Sequence, residues 1–326
     1  MKKFTLYILT AFSLMGLTTS CNDFGDVNND PMNLNPGVVD YKMEFTQVQA
    51  QICGSDWDVW RNGCIYTANM IQHTATVDWV YGSFYTWSDQ YSGAYWGGFY
   101  SGGRAAIRNI IDVMNNWEGD PAYTNEYQMC RILKAYMFQN MTDLYGDVPY
   151  SEAGQGYSTN PIPYPKYDTQ EAIYDDLLKE LDEAQAALST SAGNTIGAAD
   201  VIYNGDAAKW KKFANLLMLR VAMRLTKVAP DKAKTWVAKA VSNGLFVSND
   251  DNAIVRHTNG SPSDDSAEPY GKVFSSLDTQ AFYISETFIN ILQDDPRLSL
   301  VATVCTRDPK PGWGDADFDL GDNTAA

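Results

Sequence analysis

Beyond residue 38, apolar residues recur mostly at intervals of three and four, the period of an amphipathic helix. The pattern predicts helices over 38–51, 61–74, 105–117, 126–144, 169–188, 207–227 and 231–243. The 105–117 segment carries Ile107, Ile110, Ile111 and Met114 at helical spacing. In the next, Ile132, Leu133, Tyr136, Met137 and Met141 share one side. The clearest stripe is Ile173, Leu177, Leu178, Leu181, Ala184 and Leu188, with Asp168 placed to cap that helix and Glu171 in its first turn. Trp210, Phe213, Leu217 and Val221 form another stripe, and Asn243-Gly244 is a helix stop. Strand-like runs are few and short, Ala253 to His257 being one. The later helices fall into antiparallel pairs, which suggests tetratricopeptide-like stacking, although the exact repeat signature is absent. The fold class expected is mainly α, helical hairpins with a loop-rich half, the long loops spanning 76–104, 146–167, 190–206 and 258–272.

The N-terminus has a different pattern. Lys2 and Lys3 precede an apolar run from Phe4 to Leu17, too short for a comfortable membrane span, and then small residues. Leu17-Thr18-Thr19-Ser20-Cys21 resembles a lipoprotein signal in which Cys21 becomes the lipidated N-terminus, with the leucine one place further out than usual. An ordinary signal peptide ending near a cysteine is the alternative. Residues 1–20 are thus expected to be a signal, and 21–37, rich in Asn, Asp, Pro and Gly, a lipid-anchored tether leading to a body over 38–326. The final GWGDADFDLGDNTAA has the look of a chain cut before its fold is complete, or of an exported domain that ends loosely.

Composition removes several function classes. The net charge is −16, which argues against a nucleic-acid partner. Besides Cys21 there are Cys53, Cys64, Cys130 and Cys305, with no CxxC pair, so zinc and redox motifs are unsupported and buried free thiols are expected. A bridge between Cys53 and Cys64 across a helix-turn stays open. His73 and His257 have no neighbours at metal-ligand spacing, and a structural His73 inside a helix is the better reading. The glycines of GGFYSGG at 97–103 lack the Lys-Ser/Thr of a phosphate loop. Asp315, Asp317 and Asp319 alternate like a calcium loop, but Gly321 comes one place late and Ala326 stands where a Glu is needed. No cofactor or metal is expected. Carboxylates are plentiful, yet no spacing selects an acid–base pair.

Chemistry concentrates in aromatic residues. Thirteen lie between Trp57 and Tyr100, including five of the nine tryptophans. Trp79, Tyr81, Tyr85, Trp87, Tyr95 and Trp96 are the candidate ligand-binding residues, interleaved with Asp, Ser, Thr, Gln and Gly. Flat rings beside hydrogen-bonding groups suit a sugar, whose apolar face stacks on the ring while its hydroxyls meet the polar neighbours. The competing reading is that these rings pack a core.

Several segments together resemble the SusD/RagB family of outer-membrane nutrient-binding lipoproteins of Bacteroidetes. They are Cys21-Asn22-Asp23-Phe24, Asn28-Asn29-Asp30-Pro31, Leu144 to Ala153 (LYGDVPYSEA), Ala199 to Asp206 (ADVIYNGD), Lys209 to Asn215 (KWKKFAN), Leu217 to Arg224 (LMLRVAMR) and Asp295-Pro296-Arg297. Gly146 to Pro149 reads as a turn that stops a helix, and Arg220 and Arg224 share a helix face. The resemblance implies four tetratricopeptide-like hairpins and a surface lipoprotein. Such a protein binds glycan, or in some branches peptide, and acts as a lid on a TonB-dependent SusC-type transporter, without covalent chemistry. Family chains are usually much longer. An exported lipoprotein glycoside hydrolase and a structural or adhesive surface protein are the rivals.

Overall fold

The computed structural model describes residues 40–52, 54–76, 78–101, 105–156, 160–257, 269–273 and 282–302. Two compact units divide the chain, 1–41 and 42–326, and only Asp40 and Tyr41 of the first are described. The expected signal, Cys21 and the tether lie outside the described residues, as do Cys53, Cys305 and the alternating aspartates near the C-terminus.

The body is mainly helical, as the periodicity predicts. Helix α1 covers Tyr41–Gln51 and buries Phe45 and Val48. A continuous helical segment follows, Asp56–Asp58, then a π-helix Val59–Thr67, then Ala68–Met70. Strand β1, Thr74–Thr76, comes next. The helix expected over 61–74 therefore ends earlier, and His73 sits at the bend with its ring centroid 4.7 Å from that of Phe288. Two short helices, α2 (Asp89–Ser92) and α3 (Ala94–Tyr100), occupy the stretch read as loop.

Helix α4, Ala106–Trp117, buries Ile107, Ile110, Val113 and Trp117. Its buried face is thus rotated slightly from the predicted stripe, leaving Ile111 and Met114 half-covered. Helix α5, Thr124–Tyr145, stops at Gly146, whose φ of 76° is a conformation glycine adopts without a Cβ penalty. Strands β2 (Val148–Pro149) and β3 (Tyr167–Asp168) pair antiparallel across the following loop. Helix α6 is Gln170–Ala187, α7 is Ala207–Arg224 and α8 is Pro230–Asn243, which ends before Gly244 at φ 95°. Strand β4, Phe282–Ile284, pairs with β1, and helix α9 is Glu286–Ile291. Residues 253–257, expected to be strand-like, carry no regular structure.

The five helices α4 to α8 pack each on the next in chain order, the arrangement of a helical-hairpin stack. Their facing stripes form the core. Ile173, Leu177, Leu178 and Leu181 of α6 and Trp210, Leu217, Met218 and Val221 of α7 are all buried. Each such side chain contributes about 1.5–3 kcal/mol of transfer free energy. Arg131 of α5 grips Glu180 of α6 through Nε at 2.8 Å and Nη2 at 2.9 Å. Thr169, not Asp168, caps α6, its hydroxyl accepting from Ala172 N–H. Asp168 instead accepts from the Tyr150 and Ser151 N–H groups and the Ser151 hydroxyl, fastening the loop after α5. Cys64 and Cys130 are buried free thiols.

Candidate functional site

The π-helix is the foundation of the aromatic region. Ala68 N–H reaches the carbonyl of Gly63, five residues back, so each turn carries extra residues and fans its side chains differently from an α-helix. Its inner face buries Val59, Cys64 and Ile65, and Val59 and Cys64 meet Val273. Asn62 ties it to the next helices: with its amide turned to match its neighbours, it donates to the Tyr91 carbonyl at 3.0 Å and accepts from Tyr95 N–H at 3.1 Å.

The loop 78–88 lies against this helix through Gly82. Gly82 N–H donates to the Ile65 carbonyl at 3.2 Å. A Cβ at Gly82 would stand 2.4 Å from that oxygen and 2.7 Å from the Tyr66 carbonyl, so only glycine lets the two backbones come this close. Thr86 N–H closes the loop on the Tyr81 carbonyl at 2.9 Å, and the Tyr85 hydroxyl donates to the Met70 carbonyl at 3.1 Å. At the base, Asn69 accepts from the Thr74 hydroxyl at 2.8 Å, beside the β1–β4 pairing.

Trp79 and Tyr85 hold φ of 52° and 53°. Bulky residues rarely adopt that left-handed conformation, and such strain clusters where ligands are clamped.

The six predicted residues fall into three settings. Trp79 and Tyr81 are half-buried in a ring network: Trp60 lies 5.2 Å from Trp79 and 5.8 Å from Tyr91, and Tyr81 lies 5.3 Å from Tyr91. Tyr85 and Trp87 project into solvent, 68% and 73% exposed, beside Phe84 at 69%. The Trp87 indole N–H is held by Asp89. Tyr95 and Trp96 belong to α3 and pack toward the helical stack. Tyr95 stacks on Phe99 at 4.2 Å, and Trp96 meets Tyr100, Tyr145 and Tyr167 at 4.7, 5.3 and 6.1 Å. Trp96 N–H donates to the Tyr145 hydroxyl, which itself donates to the Ser92 carbonyl. Burial pushes the pKa of Tyr95, Tyr100 and Tyr145 above the ordinary tyrosine value, so all three remain neutral hydrogen-bonding groups.

Exposed rings on a tied-down loop can stack on a flat, partly apolar ligand, with Asp78, Ser83, Thr86 and Asp89 at hand for its polar groups. Trp57, Trp60, Arg61 and Gly82 lie outside the six candidate residues predicted from the sequence. Their signal is the Trp-Asp-Val-Trp-Arg string of 57–61, whose spacing places side chains together only once the helix is known to be π. Among the described residues no group of His, Cys, Asp and Glu could hold a metal ion.

A SusD-like family, described as starch-binding and associating with the outer membrane, matches residues 36–316. Among solved structures, a chitin-binding protein is 35% identical with a TM-score of 0.70, over 80% of this chain and 54% of its own. A SusD-like protein of Bacteroidetes AC2a is 32% identical with a TM-score of 0.70, over 80% and 50%. A chitin-binding SusD homologue from Flavobacterium johnsoniae is 28% identical with a TM-score of 0.66, over 79% and 53%. The chain thus spans about half the length of the solved proteins it matches. No curated protein matches it.

Proposed function

The chain belongs to the SusD-like family, and from that premise we propose that it is a surface substrate-binding lipoprotein which captures a glycan without cleaving it and hands it to a TonB-dependent transporter of the SusC type. The observation that carries the binding role is the loop 78–88, which fixes exposed Tyr85 and Trp87 on the π-helix through Gly82 and two left-handed backbone positions. Rings held this way lose little freedom when a sugar stacks on them. Two relatives named as chitin-binding make a chitin oligosaccharide the first ligand to test. The family description supports an outer-membrane location, and among the described residues no helix is long and apolar enough to cross a membrane. Lipidation at Cys21 supplies the attachment in this reading.

The test is retention of immobilised chitin and starch oligosaccharides by the full chain. The Trp87→Ala and Tyr85→Ala proteins should each bind about three- to tenfold more weakly, the scale of one aromatic contact, with unfolding temperatures close to that of the parent. Unchanged retention in both variants would sink the assignment of this loop. Steady release of shortened products, abolished by one Asp or Glu substitution, would replace the binding protein with a hydrolase.

A further inference from the structure

Arg61 differs from three arginines whose ion pairs organise the fold. Arg131, Arg224 and Arg297 each pair with a carboxylate, at 2.8, 3.0 and 2.6 Å. Among the described residues Arg61, half-buried, makes no ion pair, and its Nε, like the indole nitrogen of Trp60, is buried without a hydrogen-bond partner. It is also the sole Lys or Arg between residues 54 and 100. Its guanidinium carbon lies 4.9 Å from the centroid of the Trp57 ring and 5.9 Å from that of Trp60. Trp57 is 46% exposed, and Trp60 touches both Trp57, at 5.4 Å, and Trp79 of the loop, at 5.2 Å.

A guanidinium over an indole face is held by cation–π attraction, and its N–H groups form a rigid planar fork. Planar carboxylates are the natural partners of such a fork, and a partly desolvated cation without one is electrostatically unsatisfied. The ring network joins this cation to Trp79, at the start of the loop that carries Tyr85 and Trp87.

We propose that Trp57 and Arg61 form a subsite for the carboxylate of an acidic sugar, so that the glycan taken by this protein carries uronic or comparable acid residues. The inference rests on the glycan-binding reading and names the ligand class within it. The overall charge of −16 opposes long-range attraction of an anion. Selectivity therefore arises from close contact, where the Trp57 ring carries the sugar face and Arg61 meets the acid.

A uronic acid trisaccharide and its carboxyl-reduced, neutral counterpart provide a matched pair of probes, titrated into the full chain at low and high salt. The acidic form should bind about tenfold more tightly at low salt, the scale of one charge-assisted contact, with the gap narrowing as salt rises. Arg61→Gln should abolish the preference for the acidic sugar and its salt dependence, and Arg61→Lys should restore part of both. Equal affinity for both sugars in the parent, or a preference that survives Arg61→Gln, overturns the subsite and leaves the glycan-binding reading standing. Failure to bind those two sugars and the chitin and starch oligosaccharides overturns both.

Discussion

Asp200 organises the connection between α6 and α7 from a single buried side chain. Its Oδ1 accepts from Gln49 Nε2 of α1 at 3.1 Å and from the N–H groups of Ile202 and Tyr203. Its Oδ2 accepts from Gly205 N–H and from the Trp210 indole, both at 2.7 Å. The sequence segment that resembled a family signature, Ala199 to Asp206, is therefore a fastening: one carboxylate satisfies five donors that would otherwise be buried and unpaired. Replacing Asp200 with Ala should cost about 3 kcal/mol or more, because several donors lose their acceptor at once. Asp200→Asn should cost less, since one oxygen survives, though its amide nitrogen then faces donors. Urea unfolding of the three proteins gives the order directly, and equal stability of Asp200→Ala and the parent would contradict the role. The periodicity pointed to Trp210 as a core residue, but it held no sign that the indole nitrogen needed an acid ten residues earlier.

Between elements, two contacts invite measurement. The first is the docking of loop 78–88 on the π-helix. Gly82→Ala must separate the Ile65 and Gly82 backbones, since the added carbon would sit 2.4 Å from a carbonyl oxygen. The expected outcome is faster proteolysis within 78–88 and weaker sugar binding, with the α4–α8 stack unfolding nearly as before. The second is Arg131–Glu180 between α5 and α6. Burial alone would raise the Glu180 pKa, but the hydrogen bonds and charge of Arg131, helped by Lys134 and Lys179, outweigh it and hold the carboxyl below its ordinary value of 4.5. A carboxyl whose folded pKa is depressed stabilises the fold above its unfolded pKa and loses that contribution as pH falls through the folded one. Glu180→Gln should therefore cost about 1–2 kcal/mol at pH 7, a figure reduced for the pair's partial solvent screening. The gap to the parent should shrink as pH is lowered from 5 toward 3, the range about and below that ordinary carboxyl value. A gap independent of pH would assign the loss to packing. At this scale the helices were legible because apolar residues recur at three and four, most clearly in the buried α6 stripe of Ile173, Leu177, Leu178, Leu181 and Ala184. The π-helix was not, since 59–67 reads with an apolar period that an α-helix also satisfies. Strands β1 and β4 were illegible for another reason: three-residue strands lie about two hundred positions apart and owe their form to each other.

For the whole molecule, the order and number of the resembling segments carry the family resemblance more than any one of them. The segments resembling the family are mostly scaffold, such as the Gly146 stop and the α7 face on which Arg224 meets Asp143 at 3.0 Å and Arg220 reaches Asn140. They identify the fold and are silent on the ligand, whose proposed contacts lie on rings in a loop whose conformation composition does not encode. The attachment assigned to Cys21 is tested at this scale. Cys21→Ala should leave a folded protein that still retains sugar in solution but no longer sediments with membranes, whereas unchanged sedimentation would place the anchor elsewhere. The π-helix has one more consequence. A π-turn holds about one residue more than an α-turn, so deleting a single residue between Val59 and Thr67 would let a turn there relax to α geometry while the helical residues on either side keep nearly the same alignment. The change would fall inside the segment, where Trp60 would no longer point at Trp79 and Tyr91 as it does now. A change of one codon's length would thus rearrange the rings at the foot of the loop while leaving the ends of the segment in place.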